Sequence, residues 1–316
     1  MSPIEDEVQQ TAVDSRSGRP RRRPVAIGGA VAAVAIATGA IAVPLLTGHK
    51  ASEQGPGPTP AGNSQASSAG GTPVGEAVAV YYLGGTGRGV RLFREFRKTT
   101  ARDHVRAAVE LMLGAPLDGD YMTAWPTSTK VRSVAVSGDL ATVDLSAAAL
   151  PGGVVSGVGC RTLQQLVWTV TAADTSIHRV LLSVEGRPQG GDTVKPHVGC
   201  GPDFPMTRML PIDFLAPVQI STYNEGDAVR RRFIFGGEAT VFEGVVSWSV
   251  VDSTGAVLAS GAAPVSKAAP ARGQWQANVV LKDAKIGNVV VLRAWEASAK
   301  DGSVTNLDTK KVTISR

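Results

Sequence analysis

A chain of 316 residues has room for about two domains of ~150 residues each. With 43% hydrophobic and 19% charged residues it is too charge-poor for a wholly disordered protein, and 5% aromatics argue against a large aromatic-lined substrate pocket. The formal charge of +5 is concentrated in two places, Arg19 with Arg21, Arg22 and Arg23, and Arg230 with Arg231 and Arg232. A nucleic-acid binder would set its basic residues on a folded face among aromatics, so no nucleic-acid partner is expected.

Residues 1–24, where Glu5, Asp6 and Glu7 oppose the arginines, carry no hydrophobic pattern and read as a short cytoplasmic, disordered tail. Residues 25–46, VAIGGAVAAVAIATGAIAVPLL, contain no charge. At 1.5 Å per residue they make roughly 33 Å of helix, enough for a hydrocarbon core of ~30 Å. The Arg-rich flank predicts a single-pass signal-anchor with its N-terminus in the cytoplasm and the rest of the chain outside. Ala40-Ile41-Ala42 resembles a signal-peptidase site and leaves a cleaved signal open. No Cys follows the apolar run, so no lipid anchor is expected. Residues 47–75, rich in Gly, Ser, Pro and Ala, read as a flexible linker.

The region 76–195 predicts a first domain. Glu76–Leu83 is apolar on both faces, as a central strand is. Gly84 to Gly89 reads as a hairpin loop, since it lacks the spacing of a phosphate cradle, and Val90–Phe96 returns as a strand. Thr100-Ala101-Arg102-Asp103 offers a capping box. Val105, Ala108, Val109 and Met112 then form one helical stripe, which Gly114 and Pro116 stop. Lys130–Val136 and Leu140–Leu145 are two strands joined at Ser137-Gly138-Asp139. A second helix over Arg161–Ala173 turns Leu163, Leu166, Val167 and Val170 to one side, and Val180–Val184 closes the order β-β-α-β-β-α-β. Two helices on one face of a mixed sheet are expected.

Several stretches in this order resemble the GerMN domain of bacterial sporulation and germination proteins. Ala124 to Val131 (AWPTSTKV) is similar to the family's "IP-x-G-T-K-V" lead into a strand, and Gly138 to Ser146 (GDLATVDLS) to its "dG-x-A-x-V-D-L-S" hairpin. Gln164 to Thr171 (QQLVWTVT) is similar to its "Q-L-V-x-T-L-T" helix, and Val180 to Gly186 to its "V-x-I-x-x-dG" strand. Departures are Trp125 in place of an aliphatic residue, Ser128 in place of Gly, and an inserted Gly/Val segment, 151–159, leading to Cys160. The resemblance implies an extracytoplasmic α+β module of protein or envelope assembly with no known catalytic site.

Beyond the Pro- and Gly-rich connection 186–211, residues 210–316 predict only short strands: 217–221, 229–235, 245–251, 256–260, 274–280, 289–297 and 309–314. That number and size suit an immunoglobulin-like β-sandwich, with Trp248 as an inter-sheet residue. Ile212 to Gln219, Phe233 to Ala239 and Gly244 to Val251 resemble the immunoglobulin-like domain that follows GerMN-type domains in bacterial surface proteins. The expected fold is therefore a GerMN-like α+β domain, an all-β sandwich and one N-terminal transmembrane helix.

Chemistry is sparsely marked. No nucleophile elbow, Walker A, H-E-x-x-H or C-x-x-C motif is present, and no catalytic residue, cofactor or metal is expected. Cys160 and Cys200, the two cysteines, read as a disulfide closing a loop of about forty residues in an oxidising compartment. His197 and Cys200 make the rival half of a zinc site, with His178 lying between the two cysteines, and its other half is missing. His104 reads as a solvated first-turn residue. Asp118, Asp120, Asp139, Asp144 and Glu185 sit in turns or on strand faces, where a carboxylate pair for glycan cleavage stays open. Arg230, Arg231 and Arg232, taken as alternating around a strand, are edge charges or a contact for anionic wall polymer or lipid headgroups. The sequence thus predicts a non-enzymatic envelope protein contacting a protein partner or peptidoglycan, with homo-oligomerisation open. Its alternative is a cell-wall hydrolase or activator.

Overall fold

The computed structural model describes residues 76–149, 157–189 and 205–316. The expected tail, membrane segment and linker lie outside the described residues. Among those described, no helix is long and apolar enough to cross a membrane.

Strand β1 (Glu76–Thr86) pairs antiparallel with β2 (Gly89–Thr99), Thr86 facing Gly89 across the turn. Both strands run further than expected because Gly84 and Gly85 continue β1 instead of opening a loop. A Cβ on Gly84 would lie 2.7 Å from the Phe93 ring, so glycine leaves the space in which Phe93 stacks on Tyr121 at 4.6 Å. Helix α1 (His104–Leu113) starts at Asp103, whose carboxylate accepts from the Arg106 N–H at 2.9 Å, so the cap is Asp103 rather than Thr100. It ends at Gly114, and its predicted stripe is buried.

The short β3 (Tyr121–Met122) adds to the free edge of β1. Strands β4 (Val131–Ser137) and β5 (Leu140–Leu145) form a hairpin, followed by α2 (Gly157–Ala173), β6 (Arg179–Val184) parallel to β5, and the short β7 (Arg187–Pro188). The seven expected elements occur in the expected order, with the short β3 and β7 added, but the single mixed sheet does not. The described residues form two sheets here, β2-β1-β3 and β4-β5-β6-β7. The reason lies in α2, where every residue from Leu163 to Val170 is buried. A helix apolar on one side lies on a sheet surface; one buried all round sits between layers. Leu163, Leu166, Val167 and Val170 face a core shared by both sheets, whereas Cys160 and Trp168 join a second cluster with Tyr81, Leu83 and Leu92.

A single-turn helix, α3 (Pro211–Phe214), leads into the second domain, and Phe214 and Leu215 pack into that second cluster. The strands are β8 (Val218–Ile220), β9 (Ala228–Val229), β10 (Arg232–Ala239), β11 (Val245–Val251), β12 (Val257–Pro264), β13 (Gly273–Val280), β14 (Val289–Ala297) and β15 (Val304–Ile314). They form sheets β13-β10-β8 and β12-β11-β14-β15-β9. The expected strand 229–235 is two strands, because β9 pairs with β15 in one sheet and β10 with β13 in the other. Arg230 and Arg231 are the crossing between sheets and do not alternate on a strand.

Trp248 is an inter-sheet residue as expected, and Trp275 matches it; both meet Phe235 edge-on, at 5.7 and 5.5 Å. On β14 the inward residues are Val290, Leu292 and Ala294, so Trp295 faces outward, under the Arg293 guanidinium. Gly236 and Gly237 let β10 approach both neighbours. A Cβ on Gly237 would fall 1.9 Å from the Gln219 carbonyl oxygen. Both domains and all three apolar clusters belong to one compact unit, Ser67–Arg316.

Candidate functional site

The densest assembly of polar chemistry is the seam between the domains. Asn306, Asp308, Lys310, Val312 and Ile314 share the inward parity of β15, and all are buried. Val312 and Ile314 enter the sandwich core, whereas Asp308 and Lys310 meet the first domain. The Lys310 ammonium donates to Asp118 and to the Tyr121 hydroxyl, lies 3.5 Å from Asp308 Oδ1, and sits 4.2 Å from the centre of the Tyr121 ring. Tyr121 donates to Asp308 Oδ1 at 2.7 Å, and the Ile220 N–H to Asp308 Oδ2 at 2.6 Å. Behind them the Glu95 carboxylate accepts from the Leu117 and Asp118 N–H groups at 2.9 Å and holds Arg97 at 3.3 Å.

Glu95, Asp118, Asp308 and Lys310 are each 3% exposed or less. Burial pushes the Asp308 carboxyl up, against the pull of Lys310. Burial also opposes charge on Lys310, but the Asp308 and Asp118 carboxylates outweigh it and hold the ammonium above its usual range. Tyr121 is raised strongly by burial and by the same two carboxylates. A lysine, a tyrosine and carboxylates together have the makings of acid–base catalysis, yet a reacting atom would need a place beside them. Here every one of them is covered, and the bonds of Lys310 to Asp118 and Tyr121 and of Tyr121 to Asp308 run between the two domains.

Further contacts extend the seam. Arg272, from the loop before β13, donates to the Ala216 carbonyl at 2.8 Å and to Glu238 at 3.1 Å, and Arg94 of β2 reaches Glu238 at 3.3 Å. Burial alone would raise Glu238; Arg94 and Arg272 overcome it and lower it. Asn224 holds the Phe96 backbone from both sides, accepting at 3.2 Å and donating at 2.8 Å. Arg88 in the β1–β2 turn pairs with Glu296 at 2.7 Å. Beside the seam a groove of about 830 Å³ opens on β10 and β13, lined by Arg94, Glu238, Gln274, Gln276 and Asn278.

The residues singled out in the sequence fall in different places. Asp118 and Asp120 lie in the seam, Asp120 accepting from the Thr309 hydroxyl at 2.8 Å. Asp139 is exposed and bidentate with Arg179, whose hydrogen bonds lower its carboxyl. Asp144 accepts from the Gly186 N–H at 2.9 Å, and Glu185 pairs with Arg132. Asp144 and Glu185 converge on the one Arg132 guanidinium, which lies 3.4 Å from Asp144 Oδ2. His104 pairs with Glu76 at 3.1 Å, and His178 is exposed at the start of β6. Among the described residues no group of three or more metal-ligating side chains converges. His197 and Cys200 lie outside the described residues, and with them the expected bridge; Cys160 is buried on α2 and is not free. Arg230, Arg231 and Arg232 are all exposed.

The fold and seam define an α+β module joined through a buried ionic network to an immunoglobulin-like sandwich. The family described as "Germane: Sporulation and spore germination" matches residues 79–190, and the one described as "Gmad2: Immunoglobulin-like domain of bacterial spore germination" matches residues 217–303. The first domain is thus similar to the one family and the second to the other. Among solved structures it is similar to the tandem GerMN domains of the sporulation protein GerM from Bacillus subtilis, at 15% identity over 46% of this chain and 49% of that one, TM-score 0.34. It thus spans about half the length of that structure. The first GerMN domain of the same protein gives 17% identity over 42% of this chain and 96% of that one, TM-score 0.33. A putative lipoprotein from Clostridium perfringens gives 18% over 36% and 77%, TM-score 0.24. Comparison with curated proteins gives no match.

Proposed function

We propose that this chain is a single-pass, membrane-anchored extracytoplasmic protein of a bacterial envelope that binds or assembles and does not catalyse. The observation that carries the reading is the seam: the side chains best suited to proton transfer are consumed in joining two domains into one body. A body of this kind offers surfaces to a partner protein or to wall polymer, and Arg230, Arg231 and Arg232 are a cationic contact for an anionic group. The uncharged residues 25–46 behind their arginine flank support the anchor, and the sporulation and germination families of both domains support the envelope setting. Outside the cytoplasm, Cys160 and Cys200 are expected to be joined.

Two measurements test this. A reporter fused after Arg316 should be active only on the outer side of the membrane. Residues 67–316 incubated with peptidoglycan should release no muropeptides, while cross-linking in intact cells should recover an envelope protein or wall polymer. Reporter activity confined to the cytosol would overturn the placement. Muropeptide release abolished by one Asp→Asn or Glu→Gln change would replace a binding role with a hydrolytic one.

A further inference from the structure

We infer that one end of the immunoglobulin-like domain is a docking surface for an anionic lipid bilayer. The end is formed by Arg230–Arg232 and by the loop 281–288 between β13 and β14. The Leu281 N–H donates to the Arg231 carbonyl at 2.8 Å, and the Gly287 N–H to the carbonyl of Ile314, the register partner of Val229. The loop is thus fastened on both sides of Arg230, and buried Leu281 and Ala284 pin it from within. Sequence distance hides this neighbourhood, since the two segments are about fifty residues apart.

The charge at this end is unbalanced. Arg230, Arg231, Arg232, Lys282 and Lys285 are exposed, and Asp283 is the sole carboxylate side chain within the two segments. None of the five cations stands in an ion pair among the described residues, whereas Arg88, Arg94, Arg132, Arg179 and Arg272 each hold a carboxylate. Three aliphatic side chains project beside them. Ile286 is 55% exposed next to Lys285, Val280 is 46% exposed opposite Arg232, and Val289 is 47% exposed where β14 begins. A dissolved polyanion would neutralise the cations and leave Ile286 in water. The headgroup layer of a bilayer meets both needs, with phosphate for the cations and the acyl boundary for the aliphatic tips. Such docking would lay the sandwich against the membrane that the chain is proposed to be anchored in, and it rests on that placement for its setting. Vesicles probe it without any anchor, so its failure and a failure of the topology experiment are separate results.

Residues 67–316, which hold all three apolar clusters, are sedimented with vesicles of phosphatidylcholine alone or mixed with phosphatidylglycerol. The expected result is binding to the mixed vesicles only, weakening as salt rises. The triple change Arg230→Ser, Arg231→Ser, Arg232→Ser should lower the partition at least about tenfold, since each basic group near such a surface contributes separately. Ile286→Ser should lower it several-fold at unchanged charge. All four positions are exposed, so melting should not move, and Lys282→Gln with Lys285→Gln gives an independent charge test. Equal binding to both vesicle types, or wild-type binding by the triple variant, overturns the inference. So does binding to soluble polyphosphate as tight as to vesicles and indifferent to Ile286→Ser, which would assign the surface to a wall polyanion.

Discussion

Replacing Lys310 by Met puts the seam to its most direct test. Methionine nearly preserves the length and apolar volume of the lysine stem but removes the ammonium that serves Asp118, Tyr121 and Asp308. Two buried carboxylates then face each other without a cation. Breaking a buried pair from one side costs about 3–5 kcal/mol. If one aspartate takes up a proton instead, forcing a group with an ordinary pKa of about 3.9 to be neutral at about pH 7 costs roughly 4 kcal/mol. For a unit of this size each kcal/mol moves Tm by about 2–4 °C, so a drop on the order of 10 °C is expected.

Thermal unfolding of residues 67–316, followed by tryptophan fluorescence and circular dichroism across pH, reads this out. Lys310 is raised in the folded state, so its contribution is present below the unfolded value of 10.5 and is lost as pH rises through the folded one. On the lysine side the wild type should therefore keep the seam at neutral pH and lose it in alkali. Asp308 is also raised, so its ionisation costs stability as pH climbs from 3.8 through its folded value. In the Met variant that cost has no ammonium to offset it, and the deficit should shrink steadily on acidification. Adding Asp118→Asn and Asp308→Asn should recover most of the loss at neutral pH. A Met variant within about 1 °C of wild type, or a deficit unchanged between neutral and acid, would refute the coupling of the domains through Lys310.

Three shorter tests follow, two from the fold and one from the cysteine pair. Gly237→Ala places a methyl 1.9 Å from the Gln219 oxygen, so it should push β8 off β10 and lower stability by about 2 kcal/mol or more in urea titration. Asp103→Ala removes the α1 cap and should cost about 1 kcal/mol, with Asp103→Asn close to neutral, by the same titration. Mass spectrometry of exported protein with and without reductant should show one Cys160–Cys200 bridge, worth roughly 3–4 kcal/mol on reduction; two free thiols would reject it.

Much of the architecture is legible along the chain because short-range physics writes it there. The 3.6-residue stripes of α1 and α2 and the alternation in β5 depend only on which side of a local element meets apolar neighbours. The division of the first domain into two sheets is not local. It depends on α2 being covered all round, and Gln164, Gln165, Thr169 and Thr171 disguise that because they are polar residues satisfied by tertiary partners. Gln165 donates to the Tyr81 carbonyl at 2.9 Å and Gln164 to that of Thr207 at 3.0 Å. Likewise, the hydropathy of residues 229–235 looks like one strand. The change of sheet at Arg230-Arg231 is imposed by the pairing of β9 with β15, about eighty residues away.

The seam was half written in the sequence. Asp118 stood out only as a turn carboxylate, and no local pattern pairs it with a lysine 192 residues later. A signal nevertheless lies in β15. In Asn306-Leu307-Asp308-Thr309-Lys310-Lys311-Val312-Thr313-Ile314, the parity that carries Val312 and Ile314 inward also carries Asp308 and Lys310 inward. A strand that keeps a carboxylate and an ammonium on its core side must supply them with partners, because an unpaired buried charge costs several kcal/mol. The sandwich supplies the Ile220 N–H to Asp308 Oδ2, the Thr309 N–H to Oδ1, and Asp308 itself 3.5 Å from the Lys310 ammonium. The remaining bonds, to Asp118 and Tyr121, come from the first domain packed against that end of the sheet. The charged pair on the inner face of β15 is therefore a requirement for a neighbouring domain, stated within one strand.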